Sequence, residues 1–356
     1  MAHGGASCEP GYAQCPRRSF LYPFSTSLTD YSAPSWLPGG HLQTIWPARW
    51  SRRFEATAPQ WRRERWTTPD DDFVEVDFCE AAPSHSKRPL LVLFHGLEGS
   101  SGSHYSQAFA DWGLQNGCDI AVPHFRGCSG TLNLAPRAYH SGDHEEIDHL
   151  LRKFKRVVDA QSRPGLLAAG VSLGGNALMR WAGELGQSAQ KVVNAVASIC
   201  SPLDLTASGH AIGKGFNRQV YTRMFLRSMK PKAMAKLKQF PGLFDANKLM
   251  AAQDLYEFDD VFTAPLHGFK NTDDYWLRAS ALQHMGRIAL PALALNAKND
   301  PFIPSCSLPT LEKVSAHVTL WQPDDGGHVG FASGSWPGHL KAMPEAVGQW
   351  LLQHIH

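Results

Sequence analysis

Long apolar runs, an excess of charge and cysteine motifs are all missing from this 356-residue sequence. No run approaches the roughly 18 apolar residues that a membrane span needs, and the first residues lack the apolar core of a secretory signal. Lys and Arg (34) nearly balance Asp and Glu (32), which speaks against bulk attraction to nucleic acid. The sequence therefore predicts a cytoplasmic protein with no nucleic-acid partner and no stable membrane anchor.

Cysteine and histidine patterns give no sign of a metal site or a disulfide framework. The cysteines form an odd set without a Cys-x-x-Cys pair, which favours free thiols in a reducing compartment. His140, His144 and His149 crowd together, but their spacing matches no standard zinc signature and is more typical of a polar helix start. We therefore expect no metal and no cofactor. The cysteines are Cys8, Cys15, Cys79, Cys118, Cys128, Cys200 and Cys306.

Apolar runs bounded by Gly and Pro alternate with amphipathic stretches along most of the chain. The hydrophobic content of 43% and the length suit one large α/β domain. Strands that alternate with helices predict a mostly parallel sheet with helices on both faces. The predicted strands cover 89–96, 118–125, 165–171, 191–200, 288–297 and 317–322, and a helix near 338–354 closes the chain.

Two local patterns predict finer features of the fold. Val74, Val76 and Phe78 alternate with charged residues, which predicts a half-buried strand in an antiparallel hairpin. Asp143 stands where an amphipathic helix begins, with Glu146 three residues on, which is the spacing of a capping box. We therefore expect the Asp143 side chain to cap that helix.

The segment at about 204–287 interrupts the alternation of strands and helices. It is helical in character and rich in Met, Lys and Arg, so we interpret it as a helical cap inserted within a single domain of 31–356. Residues 1–30, rich in Gly, Pro and Ser, are expected to be loosely ordered. Residues 205–250 hold nine Lys or Arg, and 251–275 hold six acids. These segments either complement each other in charge or form a basic rim that attracts anionic substrates or transiently contacts a lipid surface.

The stretch from Gly170 to Gly174 reads Gly-Val-Ser-Leu-Gly and lies between a predicted strand and a predicted helix. In a nucleophile elbow the serine of this pattern occupies a strained turn, and glycines two positions away avoid collisions with the neighbouring strand and helix. Such a turn would put Ser172 at the amino end of the helix, where developing negative charge is favoured. The alternative is a glycine-rich turn with an incidental serine.

A serine nucleophile needs a histidine base and a carboxylate that orients it, and after a nucleophile elbow they follow in the order acid, then histidine. Asp300 comes just after one predicted strand, and His328 lies in a Gly-rich loop after the last one. Loops at the carboxyl ends of strands are where open α/β sheets build their sites. Asp324 and Asp325 are competing acids, but they stand so close to His328 that they more readily shape its loop.

Two backbone N–H groups are the predicted oxyanion donors. The chain turns sharply at His95-Gly96, after a predicted strand, so the N–H of Leu97 can face the site. The N–H of Leu173, directly after the serine, would be the second donor. His95 itself is more typical of a structural residue, since this motif works through the backbone.

Seven segments of the chain together resemble the YheT-type branch of the α/β-hydrolases, whose eukaryotic relatives include the ABHD1- and ABHD3-like proteins. GHLQTIWP is the most distinctive piece, because generic α/β-hydrolases lack it. The resemblance implies the α/β-hydrolase fold, hydrolysis of carboxylic esters, and Ser172, Asp300 and His328 as nucleophile, acid and base. The segments are WLPGGHLQTIWP (36–47), FHGLEGSSGSHY (94–105), HFRGCSG (124–130), AYHSGD (138–143), GVSLGGN (170–176), NDPFIP (299–304) and GGHVGF (326–331).

Three positions depart from what the resemblance leads us to expect. His124 stands where relatives usually have Asn, and His144 and Glu146 stand where Thr and Asp are usual. In the same loops, Arg126 either holds a loop near the pocket or forms a surface ion pair. Cys128 has no base beside it in the sequence, so we expect it to pack within its loop.

The leading hypothesis is a serine hydrolase that cleaves small-molecule acyl esters of short to medium chain through an acyl-enzyme. An acyltransferase on the same scaffold and a non-catalytic ligand binder are the alternatives, although a binder would have no reason to keep Ser, Asp and His in place. In the cap, Met224 and Phe225 are candidates to line an adaptable acyl pocket, with Met229 and Met234 beside them. Met at such spacing is more often plain cap core.

Overall fold

The computed structural model of the protein describes residues 1, 28, 31–81 and 87–355. The expectation of loose order for residues 1–30 therefore falls almost wholly outside the described residues. One eight-stranded sheet forms the centre of the described chain. Its strands are β1 (Arg62–Thr67), β2 (Phe73–Cys79), β3 (Leu90–Phe94), β4 (Asp119–Pro123), β5 (Leu166–Val171), β6 (Ala195–Ile199), β7 (Ala292–Leu295) and β8 (Val318–Trp321).

The strands lie in the order β1-β2-β4-β3-β5-β6-β7-β8. The strands β3 to β8 run parallel to one another, whereas β1 and β2 form an antiparallel hairpin that joins β4 antiparallel. The apolar runs of β3 and β5 are buried throughout, as expected for strands covered on both faces. The predicted mostly parallel sheet is confirmed, but β6 and β7 are shorter than the predicted 191–200 and 288–297, because each begins a few residues after a 3₁₀ helix, at Gly186–Lys191 and at Leu282–Arg287.

Helices of very different length surround the sheet in the part of the chain that the structure describes. Seven of the α-helices in the described residues lie between β6 and β7. The α-helices are α1 (Gly40–Arg49), α2 (His104–Asn116), α3 (His144–Ala160), α4 (Leu173–Leu185), α5 (Leu205–Ile212), α6 (Gly215–Asn217), α7 (Arg223–Gln239), α8 (Ala246–Ala251), α9 (Leu255–Phe258), α10 (Ala264–Leu266), α11 (Thr272–Ala279) and α12 (Ala342–Leu352). The 3₁₀ helices are Gly186–Lys191, Leu282–Arg287 and Ser305–Ser307, and π-helical turns lie at Arg218–Thr222 and Asp259–Thr263.

Both faces of the sheet are covered, as the sequence pattern predicts. Helices α3 and α4 pack on one face, where Ile147, Phe154 and Trp181 are fully buried. Helices α2 and α12 pack on the other face, around Phe109 and Trp350. Full burial of a side chain of this size contributes about 1.5–3 kcal/mol, so these two apolar layers fix the helices on the sheet. No helix among the described residues combines the length and the apolar character needed to cross a membrane.

The strand β2 is buried along its whole length, so the prediction of a half-buried strand was wrong. Its acidic side chains are covered by arginines of β1: Arg63 forms a bidentate pair with Asp77 at 2.6 and 2.8 Å, and Arg65 lies 2.6 Å from Glu75. Burial alone would raise the pKa of Asp77, but hydrogen bonds from Arg63 and from His124 hold it well below its usual range. Paired charges thus allow an alternating strand to be buried on both faces.

The start of α3 differs from the predicted capping box. Asp143 occupies the N-cap position, but its side chain makes no capping hydrogen bond. Its carboxylate lies 2.5 Å from Arg137 instead, and the carboxylate of Glu146 lies 2.6 Å from Arg126. The prediction was wrong because both carboxylates pair with guanidinium groups, which carry a full opposite charge, and so do not bond to the backbone N–H groups of the first turn.

The region between β6 and β7 is mostly helical and contains apolar clusters of its own. Leu226, Leu249 and Phe258 belong to one such cluster, and Ile212 packs with Phe302 in another. The second cluster joins this region to the loop after β7. Helices α5 to α11 therefore cover the carboxyl edge of the sheet, and they are called the cap below.

The charged segments of the cap are not joined by ion pairs. Residues 205–250 and 251–275 are all described, and no salt bridge connects the two segments. The expectation of charge complementarity is therefore not met by direct contacts. Instead, Lys232 of α7 pairs with Glu98 in the loop after β3.

Candidate active site

Ser172 forms the turn between β5 and α4, since β5 ends at Val171 and α4 begins at Leu173. Its backbone has φ 52° and ψ −118°, a combination that is strained for any residue other than glycine. The predicted strand, turn and helix are therefore present, and the turn has the distorted geometry of a nucleophile elbow.

Three glycines around Ser172 are required by close backbone contacts. A Cβ atom on Gly170 would lie 2.5 Å from the carbonyl oxygen of Gly174, and one on Gly174 would lie 2.5 Å from the carbonyl oxygen of His95. A Cβ atom on Gly175 would lie 2.5 Å from the carbonyl oxygen of Gly170. Any side chain at these positions would push the strand and the helix apart, which explains the glycine-rich sequence.

The structure brings Ser172, His328 and Asp300 into a hydrogen-bonded row. Ser172 Oγ lies 3.1 Å from His328 Nε2, and His328 Nδ1 lies 2.8 Å from Asp300 Oδ2. The second oxygen of Asp300 accepts a hydrogen bond from the backbone N–H of Phe302 at 2.8 Å. Asp300 follows β7 and His328 follows β8, so both side chains approach the serine from the carboxyl edge of the sheet.

The two competing aspartates lie outside this row. Asp324 is exposed and its carboxylate lies 2.7 Å from the ammonium group of Lys298. Asp325 accepts hydrogen bonds at 3.1 Å from the side chains of Gln43 and Asn299, and so shapes the loop that precedes His328. The expectation of a loop-shaping role thus fits Asp325, whereas Asp324 forms a surface ion pair.

The residues predicted as oxyanion donors both border Ser172. Leu173 is the first residue of α4, so its N–H has no acceptor within the helix. A Cβ atom on Gly96 would lie 3.2 Å from the Cβ of Ser172, which brings the backbone just before Leu97 against the serine. His95 is fully buried and accepts a hydrogen bond at 3.0 Å from the backbone N–H of Phe125. This contact fits the structural role predicted for His95.

The loop after Leu97 is held in an unusual conformation by polar contacts. Glu98 has φ 58°, its N–H donates to the Tyr139 hydroxyl at 3.0 Å, and that hydroxyl donates to the Glu98 carboxylate at 2.9 Å. Lys232 of the cap lies 2.9 Å from the same carboxylate and therefore ties the cap to this loop. Burial raises the pKa of the neighbouring Cys128 thiol to about 12, so this cysteine is not an activated nucleophile.

Helix α1, which carries the distinctive GHLQTIWP segment, contacts the loops that hold Asp300 and His328. Thr44 Oγ1 accepts a hydrogen bond from the backbone N–H of His328 at 2.8 Å. Gln43 Oε1 accepts hydrogen bonds at 2.8 Å from the Asn299 amide and from the N–H of Gly326. Asn299 in turn accepts from the N–H of Gly327 at 2.9 Å. No sequence pattern indicated a role for Gln43, Thr44 or Asn299, although Gln43 and Thr44 belong to the distinctive GHLQTIWP segment and Asn299 begins the NDPFIP segment.

An apolar cavity of about 170 Å³ opens beside Ser172 between the sheet and the cap. Phe225 and Met229 of α7 line it, together with both predicted oxyanion residues. Met224 does not line the cavity; its side chain is half exposed on the outside of α7, so its predicted place in the acyl pocket was wrong. Met234 packs within the cap instead. Other apolar lining residues are Leu205, Ile212, Phe258, Phe262, Trp276 and Phe302.

Arg126 is buried and holds a loop beside the cavity, which was the first of its two predicted alternatives. Its guanidinium group lies 2.6 Å from Glu146, 2.7 Å from Asp70 and 2.8 Å from Asp72. These contacts join the β1–β2 turn to the start of α3. Since three carboxylates surround it, the Arg126 charge is already compensated by the protein itself.

The clustered histidines do not form a shared centre with one another. The ring of His140 lies 4.4 Å from that of His267 and borders the cavity, and burial lowers the pKa of His140 to about 4. His144 Nδ1 donates a hydrogen bond to the carbonyl oxygen of Gly142 at 3.2 Å, at the start of α3. Within the described residues, no group of three or more metal-ligating side chains is arranged to hold an ion.

A mostly parallel sheet with a strained serine turn between a strand and a helix at its carboxyl edge is typical of the α/β-hydrolases, and the protein has a sheet and a turn of this geometry. The chain belongs to the α/β-hydrolase family, because residues 89–335 match the family model described as alpha/beta hydrolase fold.

Comparison with known proteins places the chain in the YheT and ABHD3 type, as the sequence resemblance suggested. It is 35% identical over 317 residues to YheT of Escherichia coli (strain K12), covering 88% of this chain and 91% of YheT. It is 27% identical over 336 residues to phospholipase ABHD3 of Mus musculus, covering 88% of this chain and 80% of ABHD3. The solved structure of the esterase Pf2001 of Pyrococcus furiosus aligns with a TM-score of 0.51 at 16% sequence identity, over 86% of this chain and 98% of the Pf2001 chain. This likeness shows that the two proteins share a fold. The protein is a carboxylic ester hydrolase.

Proposed function

We propose that the protein is a serine esterase in which Ser172 attacks the carbonyl carbon of an acyl ester. His328 Nε2 accepts the hydroxyl proton as the new C–O bond forms, and then gives that proton to the departing alcohol. A water molecule next loses a proton to the same nitrogen and attacks the acyl-enzyme. The bond to Ser172 breaks, the carboxylic acid leaves, and the serine recovers its proton.

Asp300 and two backbone N–H groups complete this proposal. Asp300 holds the Nδ1–H of His328, so that Nε2 is free to accept a proton, and it stabilises the imidazolium that forms. The N–H groups of Leu97 and Leu173 donate to the oxyanion of the tetrahedral intermediate. The loss of one such donor typically costs about 3 kcal/mol in the reaction barrier.

One observation carries the proposal: a serine in a strained elbow lies 3.1 Å from the free nitrogen of an aspartate-bound histidine. A strained backbone of this kind costs about 1–3 kcal/mol and persists where the site uses it. A protein that only binds a ligand gains nothing from a strained serine backbone. The arrangement therefore favours catalysis over simple binding.

The cavity supports acyl esters as the substrate class. Its wall is formed mainly by aliphatic and aromatic side chains of the cap, and Phe302 stacks on the catalytic base with ring centroids 4.1 Å apart. The names of relatives, an esterase and a phospholipase, support the same class. We propose small-molecule acyl esters of short to medium chain as substrates, with the acyl chain in this cavity.

We also propose the division of the chain into one catalytic domain of residues 31–356 with a cap inserted at about 204–287. Two features support this proposal. The cap has an apolar cluster of its own around Phe258, and the cavity lies where the cap meets the sheet. The cap is therefore the part of the chain that determines which acyl chains fit.

Labelling with a fluorophosphonate tests the proposed nucleophile. We expect one adduct per chain on Ser172, and we expect Ser172→Ala to abolish both the adduct and the hydrolysis of p-nitrophenyl esters. The matched control is Ser208→Ala, since Ser208 also lines the cavity but has no histidine partner in the structure. An adduct that persists in Ser172→Ala, or full ester hydrolysis by that variant, would show that the nucleophile lies elsewhere.

A further inference from the structure

The outer side of α1 belongs to an exposed apolar surface that ester cleavage does not use. This surface, called the aromatic face below, consists of Leu42, Trp46, Trp50, Phe216 and Trp336. Trp50 is 56% exposed and Trp336 is 69% exposed, while Leu42 and Phe216 are also about half exposed. Contiguous apolar side chains with this degree of exposure are uncommon on soluble proteins and mark docking surfaces.

Two groups of ring contacts make up the aromatic face, and Leu42, four residues before Trp46 on α1, lies between them along the helix. The Trp46 ring lies 4.8 Å from that of Trp50 and 6.2 Å from that of Trp336. Phe216 of the cap packs against the ring of His41 in α1, with centroids 4.5 Å apart. The aromatic face therefore extends from the end of α1, along its outer side, to the first turn of α6.

Cationic side chains without acidic partners border the aromatic face. Arg49 stands between two of its tryptophans in the last turn of α1, Arg52 follows shortly after, and Lys214 precedes Phe216 by two residues. All three cations are exposed, and within the described residues none of them forms a salt bridge. Exposed cations beside exposed apolar rings complement a partner that is both apolar and negatively charged.

We propose that the aromatic face docks on the surface of an anionic phospholipid bilayer. Indole rings prefer the boundary between hydrocarbon and headgroups, because they combine an apolar body with one N–H donor. The unpaired cations would meet the lipid phosphates. The proposal rests on the proposed function, since an esterase with an apolar cavity gains substrate where acyl lipids are concentrated. The lipid contact considered from the sequence was a basic rim within 205–250; the aromatic face lies mostly outside that segment, on α1 and at Trp336.

A chain of ring contacts through Tyr221 and Phe302 connects the aromatic face to the catalytic base. Phe216 contacts Tyr221 at 6.2 Å, Tyr221 contacts Phe302 at 4.6 Å, and Phe302 stacks on His328 at 4.1 Å, all between ring centroids. The opposite side of α1 carries Thr44, which holds the backbone of His328. Docking would therefore bring the lipid surface next to the elements that position the catalytic base.

Vesicle sedimentation with the full-length protein tests this proposal. The protein carries Ser172→Ala, so that vesicles are not hydrolysed, and the vesicles contain either phosphatidylcholine alone or equal parts of phosphatidylcholine and phosphatidylglycerol. We expect binding to the anionic vesicles that weakens as salt is added. The pair Trp50→Ser and Trp336→Ser should lower the vesicle-bound fraction on the order of tenfold. Arg49→Glu should lower binding to the anionic vesicles and leave binding to phosphatidylcholine unchanged.

Matched controls separate docking from loss of folding and from loss of catalysis. Leu277→Ser and Leu311→Ser remove exposed leucines outside the aromatic face and should leave vesicle binding unchanged. With Ser172 restored, the tryptophan variants should hydrolyse the soluble p-nitrophenyl acetate at the parental rate. The proposal would be overturned if the tryptophan variants bound vesicles as well as the parent does. It would also be overturned if the parent did not bind vesicles but formed a dimer that these substitutions dissociate. Failure of serine labelling would sink the proposed function and leave this binding result intact.

Discussion

The hydroxyl of Thr44 accepts a hydrogen bond from the backbone N–H of His328, with 2.8 Å between the two heavy atoms. The same hydroxyl donates to the carbonyl of Gly40 at 2.7 Å, so it is fixed at both ends within α1. A residue near the start of the chain thus sets the position of the proposed base, which lies 284 residues further on. This contact gives the GHLQTIWP segment a physical role in the site.

Replacement of Thr44 by Val should slow ester hydrolysis while the substrate still binds. The variant keeps the shape of the side chain but leaves the buried N–H of His328 without an acceptor, which typically costs about 1–3 kcal/mol. We expect kcat to fall roughly tenfold to a hundredfold with little change in KM. Thr44→Ser restores the hydroxyl and should recover most of the rate. Equal kcat in the Val and Ser variants would show that the contact does not position His328.

Replacement of Asp300 by Asn should abolish most of the activity and preserve the fold. The amide would present a donor to His328 Nδ1 and favour the wrong tautomer, for which a loss on the order of 10⁴ in kcat is known in serine proteases. The matched controls are Asp324→Asn and Asp325→Asn, which should reduce kcat far less. If either control loses as much activity as Asp300→Asn, the acid has been assigned to the wrong residue.

Most of the fold could be predicted because its signals are local. The apolar runs that became β3 and β5 have the length and composition of buried strands, and the stripe from Ile147 to Val158 has helical spacing. The burial of β2 could not be predicted in this way. It depends on arginines of β1 and on His124 of a distant loop, which reach its carboxylates only after the strands have paired.

The site was predictable in part for the same reason. Ser172 carries a local glycine pattern, and Asp300 and His328 each follow a recognisable strand. Phe225 and Met224 are neighbours in sequence, yet only Phe225 lines the cavity. The α7 residues that line the cavity do recur at helical spacing, but Lys232 and Lys236 are among them, so a search for an apolar stripe could not show which side faces inward.

The carboxyl group of Asp259 should make the protein less stable as pH rises through weakly acidic values. Burial raises its pKa from 3.8 to about 6, although Thr263 and Trp276 donate hydrogen bonds to it. The folded state therefore binds more protons than the unfolded state between these two values, and the free energy of unfolding falls as pH rises across that window. Asp259→Asn has no such charge. We expect the variant to be more stable than the parent by about 2–3 kcal/mol at pH 8, and by much less near pH 4.

Urea denaturation at several pH values measures this difference. Asp260→Asn is the matched control, because Asp260 is adjacent to Asp259 but exposed. The difference in free energy of unfolding between Asp260→Asn and the parent should not show the same dependence on pH. A stability gain of Asp259→Asn that is equal at pH 4 and pH 8 would mean that burial of the charge is not its cause.

Phe225 should limit the length of the acyl chain, whereas Met224 should not. The phenyl ring of Phe225 lines the cavity beside Ser172, so Phe225→Ala enlarges the space available to the acyl chain. Each additional buried methylene contributes about 0.8 kcal/mol, or roughly fourfold in kcat/KM, until the cavity is filled. We therefore expect the optimum in a graded series of p-nitrophenyl esters to move to longer chains in Phe225→Ala.

Met224→Ala is the matched control. It removes a side chain of similar size one residue away, on the exposed side of α7, and should leave the optimum unchanged. Fluorophosphonate labelling of Ser172 should be intact in both variants, which separates a change in the cavity from damage to the nucleophile. The same optimum in parent and Phe225→Ala would show that the acyl chain binds outside this cavity.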